Sequence, residues 1–214
     1  MTSAPVRYPA SKRLVDMSVS IALLFLLSPL LAIVLVAMAV DTLLVARDRG
    51  PFLYRERRVS RGGEFDLLKF RTLQRSALST QAEGEAHARL LEAAPANLTW
   101  AGRRVLKPWY LDELPQLLNV LKGDMSLVGP RPWPPSMVAQ QVSDGLDYRN
   151  RITAGWTGPA QVQKDVTETS GYTQLDLDYV DACGNWSAAR LLRYDLGMLW
   201  QTVRLMARGE GLRF

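Results

Sequence analysis

Two side chains that carry much of protein chemistry are almost absent from this sequence. It holds one cysteine, Cys183, and one histidine, His87. A single cysteine excludes an internal disulfide, and with it a disulfide-stapled secreted fold. One of each excludes a zinc finger or a His-rich metal site, while a carboxylate-bound Mg2+ remains open. A histidine-dependent triad would need His87, and no Gly-x-Ser-x-Gly frames it. His87 reads as a solvated helix residue. Internal repeats and low-complexity tails are missing as well. With 48% hydrophobic and 22% charged residues in 214, extensive disorder is excluded. The length suits one domain, or a smaller domain with an anchor.

What is present is unevenly spread. Lys and Arg number 26 against 21 Asp and Glu, a net charge of +5. Such a balance points to a polyanionic partner: nucleic acid, anionic lipid or phosphates. Residues 17–40 carry no charge, and Ser18, Ser20 and Ser28 are their only polar side chains. As a straight helix this run would span about 36 Å at roughly 1.5 Å per residue, longer than the ~30 Å core of a bilayer. It is too long for the core of a cleaved signal peptide, and Ala37-Met38-Ala39 is a poor cleavage site. Ser28-Pro29 falls in the middle, where proline bends or breaks a helix. Both flanks are basic: Arg7, Lys12 and Arg13 before; Arg47, Arg49, Arg55, Arg57, Arg58 and Arg61 after. A spanning helix concentrates basic residues on its cytoplasmic side. A re-entrant hairpin with both ends cytoplasmic, its basic flanks resting on anionic headgroups, accounts for both features. The expected division is residues 1–47 as basic N-terminus and re-entrant helix, and 48–214 as a cytoplasmic domain.

That domain reads as α+β. Residues 51–54 and 64–70 suggest strands around a turn at 61–63. Residues 84–91 suggest a helix, ended by Pro95. Residues 112–122 predict a helix with Asp112 as N-cap, Pro115 in the first turn and Gly123 after its end. Residues 125–128 read as a buried strand, 129–135 as a rigid proline-rich loop, 155–158 as a turn and 160–162 as a short strand. Residues 191–206 predict an amphipathic helix, either of the core or of the membrane surface.

Asp112-Glu113 is the strongest chemical candidate. Two carboxylates at a helix N-terminus sit in the positive end of the dipole, which keeps the first ionised as a nucleophile must be; its neighbour can hold a metal ion. The competing reading is a plain N-cap followed by a first-turn acid. Lys69, Arg71, Lys107 and Arg131 are candidate phosphate ligands, Lys69 and Arg71 alternating on a strand and Arg131 pre-oriented between two prolines. Arg149 and Arg151 join them. Trp100, Trp109, Trp133 and Trp156 are available to stack a base or sugar, to lie at a membrane surface, or to pack.

Residues 111–132, LDELPQLLNVLKGDMSLVGPRP, closely resemble the signature of the bacterial sugar transferases, the monotopic phosphoglycosyl transferases. Lys12-Arg13 with Asp16, the Ser28-Pro29 break, Gly50-Pro51-Phe52, Arg57, residues 62–65, residues 69–72 (KFRT), 155–158, 160–162, 176–180 and 195–203 match in the same order. The resemblance implies a membrane enzyme that moves a sugar-1-phosphate from a UDP-sugar to undecaprenyl or another polyprenyl phosphate. UMP and a polyprenyl-diphosphate sugar would be the products. It implies Asp112 as the nucleophile of a covalent phosphosugar intermediate, Glu113 as a holder of Mg2+, and a re-entrant helix with amphipathic surface helices. It places the chain at the bacterial inner membrane, its catalytic domain on the cytoplasmic face, at the first membrane step of capsule, exopolysaccharide, O-antigen or glycoprotein assembly. Partners would be the two substrates, anionic lipids and the downstream glycosyltransferases that extend the glycan. The sequence departs from the family pattern in several places. Lys107 stands where Arg is usual, Pro108-Trp109-Tyr110 replaces small polar residues, and Ala154 replaces Pro. Gln163-Lys164-Asp165 replaces Asn-Gly-Arg, and no Asp-Pro-Arg is recognisable at 95–97. Asp112, Glu113 and Arg131 are intact. Two rivals are an inactive membrane-anchored relative, against which the intact dyad argues, and a nucleic-acid binder, for which no motif exists.

Overall fold

The computed structural model describes residues 4–6, 8–82, 88–163 and 169–208. Arg7, His87, Lys164 and Asp165 lie outside the described residues.

The apolar run folds as two helices, α1 (Ala10–Leu26) and α2 (Ser28–Leu44), bent by 60° at the break. Pro29 explains the bend. It has no N–H to give the carbonyl four residues back, that of Phe25, and its ring clashes there. The Ser28 hydroxyl donates to the same carbonyl at 2.7 Å, so the acceptor is not orphaned. Among the described residues no single helix is long and apolar enough to cross a membrane; the bent pair meets length and composition together. Phe25 and Leu26 beside the break are 82% and 72% exposed.

Strands β1 (Leu53–Ser60) and β2 (Gly63–Phe70) form a hairpin. Arg61 and Gly62 between them both have positive φ, 50° and 75°, as a two-residue I′ turn requires. Helices α3 (Arg75–Ala82) and α4 (Ala88–Ala93) follow, and then a 3-10 turn at Pro95–Asn97.

The chain divides into two compact units that interleave along the sequence. One comprises Met1–Leu23, Glu56–Leu67 and Gln116–Phe214; the other comprises Leu24–Arg55 and Leu68–Pro115. Neither unit coincides with the expected division at residues 47 and 48.

The first unit is built on α5 (Gln116–Lys122), β3 (Met125–Val128), α6 (Pro135–Ser143), α7 (Tyr148–Arg151) and β4 (Ala154–Thr157). α8 (Pro159–Val162), α9 (Thr169–Asn185) and α10 (Ala188–Ala207) complete it. β3 and β4 pair in parallel, with Met125 opposite Ala154 and Val128 opposite Thr157. The expected turn at 155–158 is therefore mostly strand. Its glycine serves close approach: a Cβ on Gly155 would lie 2.1 Å from the Gly129 nitrogen. The expected strand at 160–162 is instead a helical turn opened by Pro159. α5 and α10 pack on β3 and β4. α10 buries Leu191, Asp195, Met198 and Thr202 on one face and exposes Leu196, Trp200 and Val203 on another. It is a core helix that also presents an apolar stripe.

The basic residues at the start of α1 are not splayed outward as expected. Lys12 is buried, donating to an Asp195 carboxylate oxygen at 2.6 Å and to the Val128 carbonyl at 3.3 Å. Tyr179 donates to the other Asp195 oxygen at 2.8 Å. Arg13 donates to the Val120 and Leu121 carbonyls near the end of α5, where a cation suits the dipole. Asp16 accepts from the Ser126 hydroxyl and the Leu127 N–H. A buried ammonium must be paired, and Asp195 supplies the charge that headgroups were expected to provide.

In the second unit Leu73, Ala77 and Leu98 form a small core with Leu78 and Leu91 against it. A π-helical turn, Gly102–Leu106, follows. Asp41 of α2 accepts from the Ala101 N–H at 3.0 Å and Asp48 from the Trp100 N–H at 2.9 Å. These bonds fix the start of the segment that leads to the dyad.

Candidate active site

Asp112 and Glu113 do not begin a long helix. They lie in a separate 3-10 turn, Leu111–Glu113, and α5 starts only at Gln116. Pro115 has no N–H for the Leu111 carbonyl, and the Leu114 N–H takes that acceptor at 3.2 Å instead. Tyr110, before the turn, is left-handed with φ of 55°. A bulky residue there is strained, and such strain collects at functional sites. Tyr110 separates two 3-10 turns, Lys107–Trp109 and Leu111–Glu113. Asp112 makes no capping bond, so the helix-end account of its charge does not apply.

A lysine replaces the dipole. Lys107 Nζ lies 3.0 Å from Asp112 Oδ2 and 2.7 Å from Glu92 Oε2. Glu92 Oε1 accepts from the Thr72 hydroxyl at 2.7 Å. Asp112 is 2% exposed, and its Oδ1 is buried with no hydrogen-bond partner among the described residues. Burial pushes its carboxyl above the usual carboxylate range; Lys107 opposes this, Glu113 adds to it, and Lys69 opposes it. Burial pulls the Lys107 ammonium down, but Asp112 and Glu92 outweigh it, so its pKa rises. Lys107 is thus held charged beside a carboxylate whose ionisation depends on it.

The other candidates separate by task. Lys69, half-buried on β2, acts electrostatically on Asp112. Arg71 follows β2 and is buried. Its three nitrogens donate to the carbonyls of Asp48, Pro51 and Leu73, so it ties loops together and is not the open phosphate ligand expected. Arg149, in the first unit, donates to the Arg131 carbonyl and to Asp176 at 2.9 Å, and stacks on Trp133 with its guanidinium 4.0 Å from the ring centroid. It too is committed to structure. Arg131 lies half-buried in the loop after β3, in the same unit, and Arg151 reaches the Ala4 carbonyl at 3.4 Å. Trp109 and Trp100, in the second unit, are 67% and 46% exposed. Glu92 and Thr72 were not singled out as site residues from sequence. Glu92 lies 15 positions from Lys107, in a stretch with no motif around it.

Among the described residues no group of three His, Cys, Asp or Glu side chains forms a metal cluster. The dyad alone fits Mg2+. Asp112 and Glu113 are adjacent buried carboxylates, the hard-oxygen groups that Mg2+ takes. Mg2+ is bound through one or two carboxylates, with water and substrate phosphates completing its shell.

The chain is 34% identical over 215 residues to an undecaprenyl-phosphate galactose phosphotransferase of Salmonella typhimurium, covering 94% of this chain and 41% of that protein. It is 33% identical over 190 residues to a UDP-glucose:undecaprenyl-phosphate glucose-1-phosphate transferase of Caulobacter vibrioides, covering 85% and 66%. An uncharacterized sugar transferase of Bacillus subtilis is 36% identical over 208 residues, covering 94% and 90%. The chain spans less than half the length of the Salmonella relative and about two thirds of the Caulobacter relative. The family model for bacterial sugar transferases matches residues 7–209, and the chain belongs to that family.

Proposed function

We propose that this chain transfers a sugar-1-phosphate from a UDP-sugar to undecaprenyl phosphate, or a similar polyprenyl phosphate, through a covalent intermediate on Asp112. One observation carries the reading: a buried carboxylate with one oxygen held by Lys107 and the other open, beside a second buried carboxylate. The names of the galactose and glucose relatives support the acceptor, and that of the glucose-1-phosphate transferase supports the UDP-linked donor.

In the first half-reaction an Asp112 oxygen attacks the β-phosphorus. The aspartyl O–P bond forms, the bond to the bridging oxygen breaks, and UMP leaves with that oxygen and its electron pair. In the second, a phosphate oxygen of the polyprenyl phosphate attacks the same phosphorus and expels the Asp112 carboxylate. Lys107 keeps Asp112 ionised before attack and faces the phosphoryl oxygens once Asp112 has lost its charge. Lys69 adds positive potential. Glu113 would hold Mg2+, which when bound neutralises diphosphate charge. The bent α1–α2 pair enters the inner membrane from the cytoplasmic side and returns, with exposed Phe25 and Leu26 in the acyl region. The apolar stripe of α10 lies along the surface.

The test is UMP release by purified protein with Mg2+, undecaprenyl phosphate and a panel of UDP-sugars. Release with one donor, dependent on the lipid phosphate, supports the reading and names the sugar. No release from folded protein with any donor contradicts it. Tags at both ends of the chain are expected on the cytoplasmic face, and a periplasmic N-terminus would refute the hairpin.

A further inference from the structure

We infer that Glu92 is a positioning residue for this reaction: it anchors the Lys107 ammonium on Asp112 Oδ2, and so selects Asp112 Oδ1 as the attacking oxygen. The inference rests on the transfer reading above. A lysine ammonium is a point charge on a flexible four-carbon stem, without the planar fork by which an arginine registers on a carboxylate. Alone, it has no reason to favour one oxygen of Asp112 over the other, and an ammonium shared by both would blunt the nucleophile. Here it is held from two sides, 2.7 Å from Glu92 Oε2 and 3.0 Å from Asp112 Oδ2. Glu92 is itself held, because its other oxygen accepts from the Thr72 hydroxyl at 2.7 Å. The chain Thr72–Glu92–Lys107–Asp112 therefore ends on one oxygen. The second, Oδ1, is buried and has no hydrogen-bond partner among the described residues. A buried acceptor left bare costs free energy, and an atom that must bond phosphorus cannot also be engaged by a fixed donor. Lys107 is a departure from the pattern the sequence otherwise resembles, in which arginine is usual. Glu92 supplies from another helix the registration that the fork would have provided.

The experiment is a double-mutant cycle on purified full-length protein with Glu92→Ala, Lys107→Ala and the pair. Three quantities are read: single-turnover UMP release without acceptor, equilibrium affinity for UDP, and Tm. Glu92→Ala is expected to slow UMP release about 10- to 100-fold. UDP affinity should stay within about twofold. The double variant should be no slower than Lys107→Ala, because Glu92 acts only through Lys107. Glu92→Gln, which keeps an acceptor for the ammonium and a polar group for Thr72, should recover part of the loss. Additive losses in the double variant, or a loss of UDP affinity at unchanged rate, would overturn the assignment. If the wild type releases no UMP, the transfer reading falls. The positioning claim falls with it, and the same cycle read in Tm then decides only the contact: coupling keeps the Glu92–Lys107 anchor, and additivity removes it.

Discussion

Two buried charge networks, one in each unit, are satisfied to different degrees. In the first, Lys12 meets Asp195 and the Val128 carbonyl, Tyr179 takes the remaining Asp195 oxygen, and Asp16 is satisfied at both oxygens. In the second, Asp112 is as deeply buried, yet among the described residues one of its oxygens has no partner. Saturated networks hold structure; a buried carboxylate left half-satisfied is a cost that stability alone would remove. The Lys12 network is scaffold; Asp41, Asp48 and Asp176 also keep a bare oxygen, so the role proposed for Asp112 rests on its place beside Lys107 and Glu113.

Asp112→Asn should break the contrast most sharply. Loss of the nucleophile is expected to reduce UMP release by about 10,000-fold or more, measured against wild type at saturating donor. Residual turnover within a few-fold of wild type would return Asp112 to a structural role. Lys12→Ala attacks the other side of the comparison. It leaves Asp195 buried without its cation and is expected to destabilise the fold by about 3–5 kcal/mol, read by denaturant unfolding in detergent. A loss below about 1 kcal/mol, the range of an exposed pair, would mean that the network is not the scaffold described. Gly155→Ala tests the β3–β4 approach. A Cβ there meets the Gly129 backbone, not a movable side chain, and overpacking costs about 1–3 kcal/mol or more.

How legible these features were depended on distance along the chain. The Ser28-Pro29 break is local, since Pro29 acts on a carbonyl four residues away, and residues 25–31 contain the whole argument. The dyad was legible as two adjacent carboxylates in a matched 22-residue block. The task of Lys12 was not, because Asp195 lies 183 positions away. Arg71 read as a free cation because the backbone carbonyls it binds have no signature in sequence. Residues 155–158 read as a turn because glycines usually mark one; the parallel partner strand, in which Met125 lies opposite Ala154, 29 residues on, decided otherwise. The helix-end account of Asp112 failed on Pro115 and the left-handed Tyr110, which split one expected helix into a 3-10 turn and α5.

The smallest expected effect sharpens the comparison from the side of stability. Asp112 has a folded-state pKa above its unfolded value, so the folded chain holds the proton more tightly. Stability is then lost as pH rises from the ordinary carboxylate range through the raised value, and is recovered below it. Asp112→Asn removes this term. The variant is expected to exceed wild type in Tm near neutral pH by about 2–4 °C, the shift that about 1 kcal/mol gives at this size. The gap should close as pH falls through the carboxylate range. A variant less stable than wild type at neutral pH would mean that Asp112 holds the site together instead of straining it.

The most direct test of the central claim is the mass of the protein itself. Wild-type protein would be mixed with Mg2+ and the UDP-sugar that supports turnover, without lipid acceptor, then quenched and mapped by peptide mass spectrometry. The account predicts one sugar-phosphate adduct on Asp112, discharged when undecaprenyl phosphate is added and absent from Asp112→Asn. Full turnover with no adduct at any time, or an adduct on another residue that forms equally in Asp112→Asn, would contradict it.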